Sequence, residues 1–356
     1  MKQGVNLNEK VTNSEQQNTL EQYGDFMFSR GSTGYDYQAQ WLIKDYFPTL
    51  SFGVIYGASG TLKSFQAIDI ACSIATDKTW CDRNVEQGAV VYVAAEGQIG
   101  ISKRIKAWEL TNGLKADKVF VLGNSLLLAE ETTQEQMITA IQQLEERENV
   151  KVQLIILDTL ARCFSGDENS SRDMGAFISG CDKVKAATST SIMCVHHTGK
   201  DSSKGARGSS VLRAACDYEF HVKRSGQSKL LTFSNTKQKD GTEMPCMEFE
   251  METVDLGIVC DSHRPITSLA RTKEAVTKTI TVKPKKDPIL EILNRDFAGK
   301  ATREQLRSML YPTGKMTDAQ RKSFSRSIKT LIENRLVSLE QSSAKASNTD
   351  VITVVH

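Results

Sequence analysis

The chain has 356 residues, of which 25% are charged and 39% hydrophobic, with a formal net charge of +2. Such a length points to one large α/β domain with a small one beside it. The near-neutral balance excludes a global positive field for holding nucleic acid or membrane, so any such partner must be met by a local patch.

Eight cysteines lie between Cys72 and Cys260, with no C-x-x-C and no histidine at zinc-finger spacing. They read as buried thiols of a reducing compartment rather than as a disulfide or metal framework. The opening stretch is polar throughout, and no apolar run approaches the ~20 residues of a membrane span. A soluble, cytoplasmic protein with no membrane partner is expected.

Residues 1–30 are rich in Asn, Gln, Glu and Ser. They bury too little to offset ordering entropy, and read as a flexible arm that can order on a partner. The aromatics and Pro48 of YQAQWLIKDYFPTL then lead in to a core spanning 31–269. FGVIYG is a buried strand and 62–76 a helix. GAVVYVAAEG is a strand, 98–110 a helix and KVFVLG a strand. A helix over 133–148 opens on a capping box, Thr132-x-x-Glu135. VQLIILDTL is a strand, 173–188 a helix and SIMCVHH a strand. Nearly all-apolar strands between helices predict a parallel sheet covered on both faces. After 216 the helices stop. DYEFHVKR, KLLTFSNTK and CMEFEMETV, joined by SGQS and KDGTE, predict an antiparallel extension.

Residues 270–287 are basic and polar, with Pro284, and read as a linker. Over 288–356 come helices at 288–297, 302–310 and 317–334, then the strands LVSLEQ and DVITVV. That is the plan of a winged helix.

Within this frame GVIYGASGTLKSFQ, residues 53–66, is a strand running into a glycine-bearing loop and a helix. This is the setting of a phosphate loop. Gly57, Ala58, Ser59, Gly60, Thr61, Leu62, Lys63 and Ser64 form the cradle, with backbone N–H groups and a helix N-terminus toward the phosphates of ATP. Lys63 is placed for the β- and γ-phosphates and the Ser64 hydroxyl for Mg²⁺. Leu62 stands where G-x-x-x-x-G-K-[ST] has Gly. A Cβ there is expected to require negative φ and a side chain turned from the phosphate.

Three further strand ends carry chemistry. Asp158, closing VQLIILD, fits the carboxylate that orients Mg²⁺-bound water; otherwise it caps the next helix. Glu96, closing VVYVAAE, either polarises water for attack or caps a helix. His196 and His197 close SIMCVHH; adjacent strand residues face opposite ways, so one faces the nucleotide and the other the packing. A zinc site lacks a third ligand at fitting spacing.

YGASGTLKSF, VVYVAAEG, LIILDTLAR, VHHTGK with KGARGSSVLRAACDYEFHVKR, and LTFSNTKQKDGTE, in this order, resemble the RecA-like ATPases of the RepA-type hexameric helicase group. The resemblance covers roughly residues 41–252 and implies an α/β, RecA-like P-loop NTPase core. It implies that Glu96 is the catalytic glutamate and that His197 senses the γ-phosphate. Lys237 and Lys239 would reach a neighbouring subunit's nucleotide, with Arg207 and Arg213 as rivals; otherwise both lysines are solvated hairpin charges. Leu62 departs from the common loop. The implied partners are copies of the chain in a ring, a hexamer by the resemblance, and single-stranded DNA.

In such rings the loops at 163–174 and 198–210 face the channel. The second offers Lys200, Lys204 and Arg207 to a phosphate backbone, whereas the first carries more acid than base; otherwise both are solvated loops with incidental charge. In the C-terminal module Lys322, Arg326 and Lys329 recur on one helix face opposite Phe324, Ile328 and Leu331. That face either lies on DNA or is solvated while the module docks a replication protein. The expected activity is an ATP-dependent DNA helicase of a plasmid, phage or mobile element. Open alternatives are a nucleotide-regulated initiation protein and a RecA-like recombination or defence ATPase.

Overall fold

The structure, a computed structural model, describes residues 20–95, 98–199, 205–271, 276–277, 287–312, 316–333, 336–340 and 347–355. The chain divides into two compact units, Met1–Lys278 and Thr279–His356.

The first unit opens with a hairpin, β1 (Leu20–Tyr23) on β2 (Phe26–Ser29), and a short pair, β3 (Trp41–Ile43) on β4 (Phe47–Pro48). Strand and helix then alternate: β5 (Phe52–Gly57), α1 (Lys63–Thr76), β6 (Ala89–Ala94), α2 (Gln98–Asn112), β7 (Val119–Leu122), α3 (Glu131–Glu148), β8 (Val152–Asp158), α4 (Ser171–Thr188), β9 (Ser191–His197) and α5 (Ser210–Ala215). Strands alone follow: β10 (Tyr218–Arg224), β11 (Leu230–Gln238), β12 (Met247–Val259), β13 (Pro265–Arg271) and β14 (Val276–Thr277).

One ten-stranded sheet organises the unit, in the order β13-β12-β11-β10-β5-β9-β8-β6-β7, with β14 also on β12. From β10 to β7 every pairing is parallel; from β10 to β13 every pairing is antiparallel. The strands are apolar on both sides because both faces are covered. Ile55, Tyr92, Leu154, Ile156, Met193 and Val195 enter the core shared with α1 and α2. Val54, Val93, Ile155, Leu157, Ile192 and Cys194 enter the core shared with α3 and α4. Leu42, Ile43, Tyr46 and Phe47 close the first core, as the aromatic lead-in predicts.

A buried polar knot joins three elements on the first face. Asp69 of α1 accepts from Trp80 Nε1 at 2.8 Å and from Trp108 Nε1 of α2 at 2.9 Å. It also pairs with Arg271 of β13 at 2.9 Å. Arg271 in turn lies 4.8 Å above the Phe249 ring. Three donors thereby satisfy a carboxylate that burial would otherwise penalise.

The second unit contains α6 (Pro288–Asp296), β15 (Lys300–Thr302), α7 (Arg303–Leu310), α8 (Asp318–Glu333), β16 (Val337–Glu340) and β17 (Val351–Val354). β17 lies between β15 and β16. Ile289, Leu293, Leu306, Phe324, Ile328, Leu331, Val337 and Ile352 form its own core.

Several expectations need correction. Residues 20–29, assigned to a flexible arm, form the β1–β2 hairpin; residues 1–19 lie outside the described residues. The helix expected from 133 starts at Glu131, with Glu130 at its cap and no side chain bonded there. Thr132 and Glu135 therefore sit inside the helix and form no capping box. Part of the expected 270–287 linker belongs to the sheet, since β13 runs through Arg271 and β14 pairs with β12. β15 is an additional strand between α6 and α7, held by its pairing with β17.

Candidate functional site

Gly57, Ala94, Asp158 and His197 end four parallel strands at one edge of the sheet. The register pairs Gly57 with His197, and Ala94 with Asp158. This is the edge at which open α/β sheets bind ligands.

The 57–64 loop starts where no side chain fits. A Cβ on Gly57 would sit 2.3 Å from the Val222 carbonyl of β10. Gly60 has φ 76°, and Leu62 caps α1 with φ 66° and ψ 28°. The expectation of negative φ at Leu62 is thus wrong. The residue adopts the left-handed conformation that glycine favours, and its side chain packs against the core beside Phe65. That apolar contact offsets a conformation costing roughly 1–2 kcal/mol for a residue with a Cβ.

No side chain caps the N-terminus of α1, so its first N–H groups stay available to an anion. Lys63 is 6% exposed, with Nζ donating to the Gly57 carbonyl at 3.0 Å and the Ala58 carbonyl at 2.9 Å. Nδ1 of His197 lies 3.5 Å from the same ammonium. Arg224, at the end of β10, donates to the Gly60 carbonyl at 3.0 Å and tethers the loop's tip. A cavity of about 200 Å³ opens here, lined by Ser59, Gly60, Leu62, Lys63, Ser64, Phe65, Arg104, Thr159 and His197.

Opposite the loop, Asp158 is 5% exposed and accepts from the Tyr92 hydroxyl at 2.6 Å. Burial, then the Asp158 charge, pushes the Tyr92 hydroxyl well above its ordinary pKa, so it stays a donor. His196 is fully buried and bonds through Nε2 to the Arg207 carbonyl at 2.9 Å. Burial pulls its pKa down to about 4. His197 therefore lines the cavity, and His196 serves the packing behind it.

The AAA domain model matches residues 18–203, more than half of the chain. The chain belongs to the AAA domain family. No curated protein matches it. Membership makes this an AAA-type P-loop domain with a nucleotide-hydrolysing fold, and the mostly parallel sheet is consistent with a RecA-like P-loop core.

The predicted residues do not all converge. The cradle Gly57–Ser64, Asp158 and His197 share the loop edge. Glu96 lies outside the described residues, as do Lys200 and Lys204. Lys237 and Lys239 sit at the other end of the sheet: Gln238 pairs with Tyr218, and Tyr218 with Gly53 at the start of β5. There Lys237 Nζ caps α5 through the Arg213 carbonyl at 2.7 Å, and Lys239 pairs with Asp217 at 3.2 Å. Arg213 lies 3.4 Å from the buried Glu219. Arg207 makes a two-pronged pair with Glu168, at 2.6 and 2.8 Å. In the second unit Lys322, Arg326 and Lys329 are exposed on α8, while Phe324, Ile328 and Leu331 are buried.

Two arginines that touch the cavity wall or the loop's tip were not singled out from the sequence. Arg104 of α2 stacks 4.6 Å over Phe65 at the cavity wall. Its signal was present: Arg104 falls on the helix stripe of the buried Ile101, Ala107 and Trp108, where a charge needs a purpose. Arg224 gave no such signal, because its link to Gly60 depends on β10 lying beside β5.

Proposed function

We propose that the chain is a Mg²⁺-dependent ATPase that assembles into a ring, a hexamer by the resemblance, and moves on single-stranded DNA as a helicase of plasmid, phage or mobile-element replication. The observation that carries the ATP site is the loop edge itself. Uncapped N–H groups, a buried lysine and a histidine surround one small cavity.

The residues present fit a nucleotide with its metal. The α1 N-terminus and Lys63 would hold the phosphates of ATP, and Arg104 adds a second positive side chain at the same wall. Ser64 and Asp158 would hold Mg²⁺, which neutralises phosphate charge when bound. Tyr92 fixes the Asp158 carboxylate from behind. His197, beside Lys63, is placed to respond to phosphate. Glu96, by its position in the sequence, is the candidate to orient water.

The ring reading rests on the resemblance. Lys237 and Lys239 lie at the edge of the sheet away from their own loop, so any action on ATP would be on a neighbour's. The order helix, strand, helix, helix, strand, strand in the second unit supports a winged helix. Its exposed Lys322, Arg326 and Lys329 support contact with a DNA backbone.

The test is ATPase activity with and without oligo(dT), over a range of protein concentrations. Stimulation by single strands, and activity per chain rising with concentration, are expected. Stimulation by one duplex sequence alone would favour a nucleotide-regulated initiation protein. A flat profile without stimulation would defeat the motor reading.

A further inference from the structure

Arg207 and Glu168 join the two loops that leave the catalytic edge after β8 and β9. Their pair is two-pronged, with Nε–Oε2 at 2.6 Å and Nη2–Oε1 at 2.8 Å. The Glu168 side chain is 14% exposed and that of Arg207 46%, so the arginine reaches solvent while the acid is sheltered. Around the pair, Ser209 N donates to the Glu168 carbonyl at 2.8 Å and Ser171 Oγ lies 3.0 Å from Ser209 Oγ. Gly208 has φ 99°, and a Cβ there would lie 2.6 Å from the Glu168 carbonyl. The two loops are thus fitted to one another.

The backbone of Arg207 is bonded to both histidines. Its N–H donates to the His197 carbonyl at 2.9 Å, and its carbonyl accepts from His196 Nε2 at 2.9 Å. His197 is the residue 3.5 Å from Lys63 in the nucleotide cavity. A guanidinium that grips a carboxylate with two parallel bonds grips a phosphate with the same geometry.

We propose that Glu168 is an internal stand-in for nucleic-acid phosphate: it occupies Arg207 in the DNA-free chain, and a backbone phosphate of single-stranded DNA displaces it. The exchange frees the two loops from each other at a residue bonded directly to the cavity histidine. This inference rests on the single-stranded DNA reading and adds to it a named competitor.

The decisive feature is sign. As a structural clasp alone, the pair is lost equally in Glu168→Gln and Arg207→Gln, and both variants shift affinity the same way. As a phosphate stand-in, Glu168→Gln tightens binding of labelled oligo(dT), roughly tenfold, and Arg207→Gln weakens it by a similar factor. Asp167→Asn removes the same charge from the preceding residue, whose carboxylate accepts from Asn169 within its own loop; it should tighten binding far less. Should Glu168→Gln fail to fold, Arg207→Gln decides by the salt dependence, whose slope should fall by about one. Wild-type binding with shifts of the same sign, or with none, overturns the stand-in and leaves the DNA reading intact. If neither wild type nor Glu168→Gln binds oligo(dT), the DNA reading has failed and takes the stand-in with it.

Discussion

At Leu62 the backbone takes a conformation that glycine accepts freely and leucine resists. The loop keeps a glycine-like shape at φ 66° and uses the leucine side chain as an anchor in the core beside Phe65. Two substitutions separate these effects. Leu62→Gly relieves the strain and loses the anchor, so ATP affinity should stay within about threefold, read by titration with a fluorescent analogue. Leu62→Val places a β-branched residue at positive φ and should destabilise the chain by roughly 1 kcal/mol or more in denaturant melts. The φ of Leu62 was hidden from the sequence because residue type sets a preference and the loop's closure overrules it. By contrast, the division of labour between His196 and His197 was legible in principle. His197 shares its parity along β9 with Met193 and Val195, on the α1 face.

His196 also makes stability depend on pH. Burial holds its folded pKa at about 4, below the ordinary 6.5, and His221, stacked 4.5 Å from Tyr56, is likewise lowered to about 4, chiefly by burial. In both cases the unfolded chain takes up the proton first as pH falls. Stability is therefore full above pH 6.5 and declines from there toward pH 4, by up to about 1.4 kcal/mol per pH unit for the His196 ring. Denaturant midpoints at pH 7.5, 6 and 5 should fall in that order, and His196→Gln should fall less steeply.

Among the elements, the strands and helices from β5 to β9 were legible because each strand is apolar toward two cores and each helix carries an apolar stripe. The β1–β2 hairpin, β13, β14 and β15 were not. β14 and β15 are two and three residues long and are held by pairing with β12 and β17, while the β1–β2 hairpin falls in a stretch that reads as an arm by composition and β13 runs into one that reads as a linker. The positions of Lys237 and Lys239 needed the same missing information, since only the β10–β11 register places them away from the loop. The knot at Asp69 is a stronger case, joining α1 and α2 to a strand some 200 residues later. Removing one partner of a buried ion pair leaves the other uncompensated. Arg271→Ala should therefore cost about 3–5 kcal/mol in thermal or denaturant unfolding, and Arg271→Lys less.

At the scale of the whole molecule, the division into Met1–Lys278 and Thr279–His356, each with its own hydrophobic core, predicts independent folding. A chain ending at Lys278 should unfold cooperatively and bind nucleotide like the intact protein. Loss of both would show that the second unit is needed to hold the first. Under the proposed role in DNA contact, the same truncation should lower affinity for DNA and flatten its salt dependence.

The account stands on the loop edge as an ATP-hydrolysing site despite its leucine. The most direct test is Mg²⁺-ATP binding and hydrolysis by the intact chain beside Lys63→Ala, with folding of both verified by melting. Measurable binding and phosphate release by the wild type, with loss of both in a folded Lys63→Ala chain, is the predicted result. Equal ATP affinity in the two proteins would contradict it.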